Sequence, residues 1–452
     1  MRDDHAAARQ VIEGRVGPGD PDWVYVPVEL PWAVGRLTVR LRYERALGVI
    51  DLGVFGPGGT FRGWSGGRRS EFTVATGDAT PGYLAGPLPA GTWRVILGPY
   101  LVPDGGLDWR LEVEAMGGEA PATVATAEVS PVLPSAGRAL RDAPGWYRGD
   151  LHVHTVYSDG AYTPAEVLAL ARAAGLDFLV TSEHNTSAGH QAFAAAERPD
   201  LLVVAGEEVT TRSGHAGAVG LRPGHWIDWR FRPQDGALSR IAGELRAEGG
   251  LLQANHPFAP GRGSSWQFGW ESVDAVEVWN GSVAAPSNER ALTLWDELLR
   301  AGRRLAATGG SDAHRPPDRV GHPQTVVRAE RLAAAELVAA LRAGRCWLAG
   351  SAEVALDFVA AAGDRLAGMG ERLPCRHGEA VRVRLRVAGA PGAVATLHGR
   401  DGTVHGATLA AGASGGLDWT TSPGATPWLR AEVRRPDGGL VALTNPIWLE
   451  LV

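Results

Sequence analysis

The stretch GDLHVHTVYSDG, Gly149 to Gly160, sets two histidines two residues apart at the end of an apolar run, with an aspartate five residues further on. In an extended strand, residues i and i+2 face the same side, so His152 and His154 can both reach one ion. Two imidazoles do not complete a site. The fold therefore turns on whether other strand ends bring matching ligands.

They do. Between about Trp146 and Gly350, strand-like runs (DLHVHT, DFLVTSEHN, LLVVAGEEVTT, LLQANHP, AVEVWNG, RLAATGGSDAH) alternate with helical ones (PAEVLALARAAG, DGALSRIAGELRAEGG, SNERALTLWDELLRAG, LAAAELVAALRAG). Such alternation predicts an α/β unit of parallel strands with crossover helices, and over this length a barrel. Thr163, Pro164 and Glu166 read as the cap, first turn and capping-box position of a helix. Nine of the thirteen histidines fall in this region. The ligand-type residues cluster at the C-terminal strand ends, where barrels build their sites. They are His152 and His154, His184, Glu207 and Glu208, His256, and Asp312 with His314, while His215 follows the glutamates. Each alone has a plain reading: Asp159 in SDG as a turn residue, Asp312 in GGSDAH as a helix cap. Their joint placement points to ligation. With imidazoles and carboxylates but no thiolate pair, a multi-metal hydrolytic centre of divalent ions (Zn, Mn or Fe) is expected rather than a closed structural zinc site.

Outward from this region the texture changes. Residues 22 to 115 are short alternating or β-branched runs (VYVPVEL, RLTVRLRYE, GVIDLGVFG, TWRVILGPYL) split by Gly/Pro turns, which predicts a β-sandwich. The Ala/Pro-rich passage GGEAPATVATAEVSPVLPSAG reads as a linker, and AVRVRLRV, WLRAEVRR and PIWLELV as a small C-terminal β-domain. At 452 residues two or three domains are expected. A composition of 44% hydrophobic and 21% charged residues is globular, and a net charge of −6 argues against a nucleic-acid partner. Cys346 and Cys375 form no CxxC pair. The opening MRDDHAAARQ has no apolar core and no apolar run reaches membrane length, so a cytoplasmic protein with no membrane association is expected. The serines of VTSEH and GGSDAH do not sit in a G-x-S-x-G elbow, and no P-loop or dinucleotide fingerprint falls at a convincing strand-to-helix turn.

In order, HVHTVYSDG, EHN, GEE, NHP and SDAH resemble the polymerase-and-histidinol-phosphatase (PHP) metallohydrolase superfamily. EVTTRSGH, NHPF, EVWNG, LWDELLRAG and ATGGSDAH are similar to its carbaryl-hydrolase-like branch. The resemblance implies a distorted seven-stranded (β/α) barrel at 145–350, flanked by an N-terminal β-sandwich with linker (1–135) and a C-terminal β-domain (351–452). It implies one ion held by His152, His154, Glu208 and Asp312, and a second by His215 and His256 with Glu208 bridging. A third would be held by Asp159, His184 and His314. Glu208 is preferred to Glu207 because the family motif reads Gly-x-Glu from Gly206, and adjacent strand residues face opposite ways. Glu183 departs from the aspartate usual before the second-motif histidine.

The chemistry implied is hydrolysis by a metal-activated water of a small-molecule phosphoester, or of a carboxyl or carbamate ester. Glu208 and Asp312 would be central to it, with Arg262 a candidate phosphate or oxyanion contact. Trp279 and Asn280 are candidate pocket residues. Trp226, Trp229, Trp266 and Trp270 are a candidate aromatic wall, and His190, His225 and His322 are candidate general acids that read more readily as surface residues. A glycan- or protein-binding module with a vestigial metal site is the alternative of another class; a polymerase-associated nuclease fits the acidic balance poorly.

Overall fold

The structure, a computed structural model, describes residues 8–117, 137–196, 198–410, 412 and 414–452. Most of the expected linker, residues 118–136, lies outside the described residues. The fold is mixed α/β, rich in strands, with five α-helices among the described residues.

Residues 8–116 form two four-stranded antiparallel sheets. One is ordered Ala8–Val16, Leu107–Met116, Arg36–Tyr43, Glu71–Ala75; the other Val24–Leu30, Gly91–Leu101, Val49–Phe55, Phe61–Trp64. Alternation decides which side is buried. In Leu107–Met116, Leu107, Trp109, Leu111, Val113 and Ala115 turn inward to a core shared with Val28, Leu30, Leu52 and Val95 of the facing sheet.

In the central region the strands divide between two sheets that isolated bridges join into a ring. Gly145–Asp150 pairs in parallel with Phe178–Val180. Gly206–Thr211, Gly214–Val219, Leu251–Asn255, Ala275–Asn280 and Ala306–Gly310 form a five-stranded sheet. Two isolated parallel bridges, His184 to Glu208 and Val153 to Ala313, join the two sets; Glu208 lies within its strand and the other three just past theirs. Those closing bridges place the ligand residues. Val153 sits between His152 and His154, and Ala313 between Asp312 and His314, so if the bridged residues point one way their neighbours point the other.

Two local expectations are corrected. LLVVAGEEVTT is not one strand: Leu202–Val204 and Gly206–Thr211 lie in different sheets. Nor are all strands parallel, since Gly214–Val219 runs antiparallel to both neighbours. The physical reason is length. Only Arg212 and Ser213 connect it to the preceding strand, which permits a hairpin and no crossover. The helix Gly189–Ala196 carries no signal that the strand-and-helix reading used. The other four, Pro164–Ala173, Ala237–Ala247, Ala285–Arg300 and Ala334–Arg342, follow their periodic runs. Thr163 and Glu166 make the reciprocal capping box.

Beyond Gly350, Leu440–Thr444 pairs with Cys346–Ala349, so hydrogen bonding runs without a break from the central region into the C-terminal strands. The N-terminal sheets are equally joined to it: Phe55, Phe61, Trp64 and Ile96 belong to the same apolar cluster as Trp229 and Phe231. Among the described residues no helix is long and apolar enough to cross a membrane.

Candidate metal centre

The nine side chains His152, His154, Asp159, His184, Glu208, His215, His256, Asp312 and His314 converge at the strand-end mouth of the ring. Glu208 sits at the centre. Its Oε1 lies 3.2 Å from His152 Nε2, 3.0 Å from His256 Nε2 and 3.3 Å from His215 Nδ1; its Oε2 lies 2.9 Å from His184 Nδ1 and 3.5 Å from His154 Nε2. Asp312 Oδ1 approaches His154 Nε2 at 3.0 Å and His152 Nε2 at 3.3 Å. Asp159 Oδ1 approaches His314 Nε2 at 3.2 Å and His184 Nε2 at 3.4 Å.

Ligand atoms close enough to share an ion fall into four overlapping groups: His154, Asp159, His184, His314; His152, His154, Asp312; His152, Glu208, His256; and His184, Glu208, His215. This partition differs in detail from the one the resemblance implies. His215 and His256 fall in separate groups, each with Glu208, and His154 joins the Asp159 group.

Burial makes the arrangement expensive without a cation. Glu208, His152 and His154 are fully buried, and buried charge must be paired or coordinate metal. Burial alone would push Glu208 up, yet His152, His184 and His215 beside it hold it well below the usual carboxylate range. Six atoms of the cluster are nevertheless buried without a hydrogen-bond partner: His152 Nε2, His154 Nε2, Asp159 Oδ1, Glu208 Oε2, His215 Nδ1 and His256 Nδ1. Five of the six, all but His256 Nδ1, face an imidazole or carboxylate of the cluster; that is the donor set a divalent ion takes, so these residues fit a metal. The backbone is strained at the same place. His256 (φ 26°) and Asp312 (φ 50°), each following a strand, occupy left-handed conformations costing about 1–3 kcal/mol.

A supporting layer fixes the rings, and most of it escaped the sequence reading. Glu277 Oε1 lies 3.1 Å from His152 Nδ1, and its Oε2 accepts from the His256 backbone N–H at 2.8 Å and from Asn280 Nδ2 at 3.1 Å. A bulge at Glu277/Trp279 shifts the register, so that Asn280 also reaches Asp312 Oδ2, at 3.2 Å. A glutamate inside the buried run AVEVW was the available signal. Asn255 Nδ2 donates to Glu208 Oε1 at 3.0 Å. Asp150, pushed up to about 6 by burial, accepts backbone N–H groups from His152, Ser311 and Gly321. It ties the first ring strand to the last.

Glu207 faces away from the cluster, accepting from Ile227 N at 3.2 Å. Glu183 accepts from the Thr155 and Ser158 hydroxyls and so anchors the loop leading to Asp159. Arg262 is exposed, and its carbonyl accepts from the Tyr100 hydroxyl. Among the described residues its guanidinium makes no hydrogen bond or ion pair to the cluster. Trp229 and Trp226 pack on the N-terminal sheets, with Trp229 4.6 Å from Trp64 and Trp226 stacked 4.1 Å from Phe61 between ring centres. Trp266, partly buried, lies against Gly214 beside His215 and is 5.8 Å from Trp270. Trp279, also partly buried, lies against Gly350. His190 is a buried structural residue rather than a surface one: its Nδ1 accepts from Gly224 N and its Nε2 reaches Gly206 O.

A family model described as PHP-associated matches residues 286–346, the segment that includes Asp312 and His314. The chain is 27% identical over 125 residues to the uncharacterized protein MJ1587 of Methanocaldococcus jannaschii, covering 25% of this chain and 69% of the relative. Among solved structures it is similar to a two-domain protein from Bacteroides vulgatus containing a predicted PHP-like metal-dependent phosphoesterase (TM-score 0.38, 19% identity, covering 68% of this chain and 96% of that one). It is also similar to an amidohydrolase from Chromobacterium violaceum with bound sulfate and no metal (TM-score 0.29, 22% identity, 38% and 90%).

Proposed function

We propose that the protein is a metal-dependent hydrolase of small phosphoesters, holding two or three divalent ions of the zinc, manganese or iron type. One observation carries the reading: nine ligand-type side chains from separate segments meet at one mouth, with six of their polar atoms buried and unpartnered. His152, His154, Asp159, His184, Glu208, His215, His256, Asp312 and His314 would hold the ions. Bound there, divalent ions supply an activated water at neutral pH and absorb charge developing on the attacked group. The chain's own contribution is geometric. Glu208 aims one oxygen at His152, His215 and His256 and the other at His154 and His184. Glu277 and Asn280 fix His152, His256 and Asp312.

The phosphoester reading is supported by charge at the open side. Asp159 is the most solvent-exposed member, its side chain 40% exposed, and Arg68, Arg69 and Arg315 all bond the carbonyls of its loop. Cations there favour an anionic substrate. Hydrolysis of a carboxyl or carbamate ester is the second reading, favoured by Trp266, against Gly214 beside His215, with Trp270 next to it.

The test assays bis-p-nitrophenyl phosphate, p-nitrophenyl phosphate and 1-naphthyl esters side by side, with and without chelator. Chelator-sensitive phosphoester turnover, lost in His154→Ala and Asp312→Ala, is expected. Ester turnover alone would install the second reading. Metal binding without turnover of either class would leave a binding module.

A further inference from the structure

We infer that the N-terminal sheets complete the metal centre, with Arg68 and Arg69 acting as positioning residues that hold the loop bearing Asp159. This rests on the metal-centre reading above and deepens it.

The loop Val156–Gly160 leaves most of its carbonyls outside regular structure. Arg69 Nη2 donates to Val156 O at 2.8 Å. Arg68 Nη1 donates to Ser158 O at 2.9 Å and also to Gly160 O. Both arginines lie in the turn before the strand Glu71–Ala75, some ninety positions away in sequence. From the ring side, Arg315 Nη2 donates to Asp159 O at 3.0 Å. Four carbonyls of one five-residue loop are thus capped by three guanidinium groups, while Glu183 grips Thr155 and Ser158 from within. A carbonyl left unpaired when buried is unfavourable, so the caps select one loop conformation.

The sheets touch other ligand-bearing segments too. Gly82 O accepts from the Thr186 hydroxyl at 2.9 Å, two residues past His184. Gly82 packs so closely that a Cβ there would meet Tyr157 O at 2.8 Å. Arg212, in the two-residue turn between the strands of Glu208 and His215, pairs with Asp51 at 2.9 Å and lies over Trp23 and Tyr100. Of these contacts, the arginine caps and the close approach of Gly82 to Tyr157 act on the loop of the most exposed ligand. Asp159 is therefore the ligand most dependent on outside support.

The experiment strips the full-length protein with chelator, reloads it with Mn²⁺, counts bound metal, and titrates the weakest site by calorimetry. The double variant Arg68→Ala/Arg69→Ala is expected to hold one ion fewer than wild type, or to bind its weakest ion at least about 10-fold less tightly. Asp159→Asn should lose the same ion, and adding the arginine substitutions to it should change nothing further, because the arginines act through Asp159. A folded double variant with wild-type stoichiometry and affinity would overturn the inference; so would full additivity with Asp159→Asn. If the double variant does not fold, Arg68→Lys carries the test. A lysine nitrogen ends one bond short of Arg68 Nη1, the single atom that donates to both Ser158 O and Gly160 O, so weakened binding of the same ion is expected, and unchanged binding overturns the inference. Wild-type protein that takes up no metal refutes the metal centre itself, a separate outcome.

Discussion

Glu277→Gln is the most informative substitution outside the nine converging side chains, because it preserves shape and changes only what the two oxygens can accept. In the native arrangement Oε1 faces His152 Nδ1 at 3.1 Å, while Oε2 takes two donors, His256 N at 2.8 Å and Asn280 Nδ2 at 3.1 Å. A proton on His152 Nδ1 leaves Nε2 free as the nitrogen facing Glu208 and Asp312. Glutamine must put its NH₂ on one side. Toward His152 it drives the ring proton to Nε2 and removes the ligand lone pair. Toward His256 and Asn280 it opposes two donors with a third. Either way at least one hydrogen bond to a charged acceptor is lost, about 1.5–3 kcal/mol. That converts to about 10–100-fold in metal affinity at roughly 1.4 kcal/mol per decade. Chelator-competition titration of wild type and variant measures it directly. A variant that binds its ions within twofold of wild type would refute the role assigned to Glu277.

Three further outcomes follow from packing and charge. Trp229→Ala removes a fully buried side chain wedged against Trp64, Trp23 and Phe61, and should cost about 3–5 kcal/mol in urea unfolding; a loss below about 1 kcal/mol would show that this contact does not join the sheets to the ring. Gly310→Ala places a Cβ 2.5 Å from His152 Cβ and 2.8 Å from its backbone nitrogen, so it should destabilise by about 1–3 kcal/mol and lower metal content together; normal metal content would contradict the close approach. Acid should weaken the buried Arg430–Glu432–Asp296 network. Burial works against its charge, but Arg430, His398 and Arg434 bring Glu432 down to about 2 from 4.5, and burial with Arg430 brings His398 down to about 4 from 6.5. Both values lie below their unfolded ones, so stability is lost as pH falls, through His398 between about 6.5 and 4 and through Glu432 between about 4.5 and 2. Denaturation midpoints of wild type and Glu432→Gln across that range should converge on acidification; parallel curves would sink the assignment.

The residues that carry this account were unevenly legible in the sequence. The nine ligand-type side chains could be named because histidines and carboxylates at strand ends are costly unless used, and the i, i+2 spacing of His152 and His154 gave their common direction. Four of the five helices followed from apolar periodicity, and the Thr163–Glu166 box from its residue types. What the sequence hid depends on contacts between distant segments. The reversal at Gly214–Val219 is set by a two-residue turn that a run of β-branched and small residues does not announce. Glu277 and Asn280 act together only because a bulge re-aims one of them. Trp226 and Trp229 look like loop aromatics available to a ligand until the N-terminal sheets cover them. Nothing local marks Arg68 and Arg69 as partners of a loop ninety residues away.

The most direct measurement is diffraction from crystals of the metal-loaded protein, recorded on both sides of the absorption edge of the bound ion. The account predicts two or three anomalous peaks inside the cage formed by Glu208, Asp312, Asp159 and the six surrounding histidines, each within coordinating distance of the nitrogen and oxygen atoms left unpartnered. Loaded crystals with no peak there, or with metal bound only elsewhere on the chain, would contradict it.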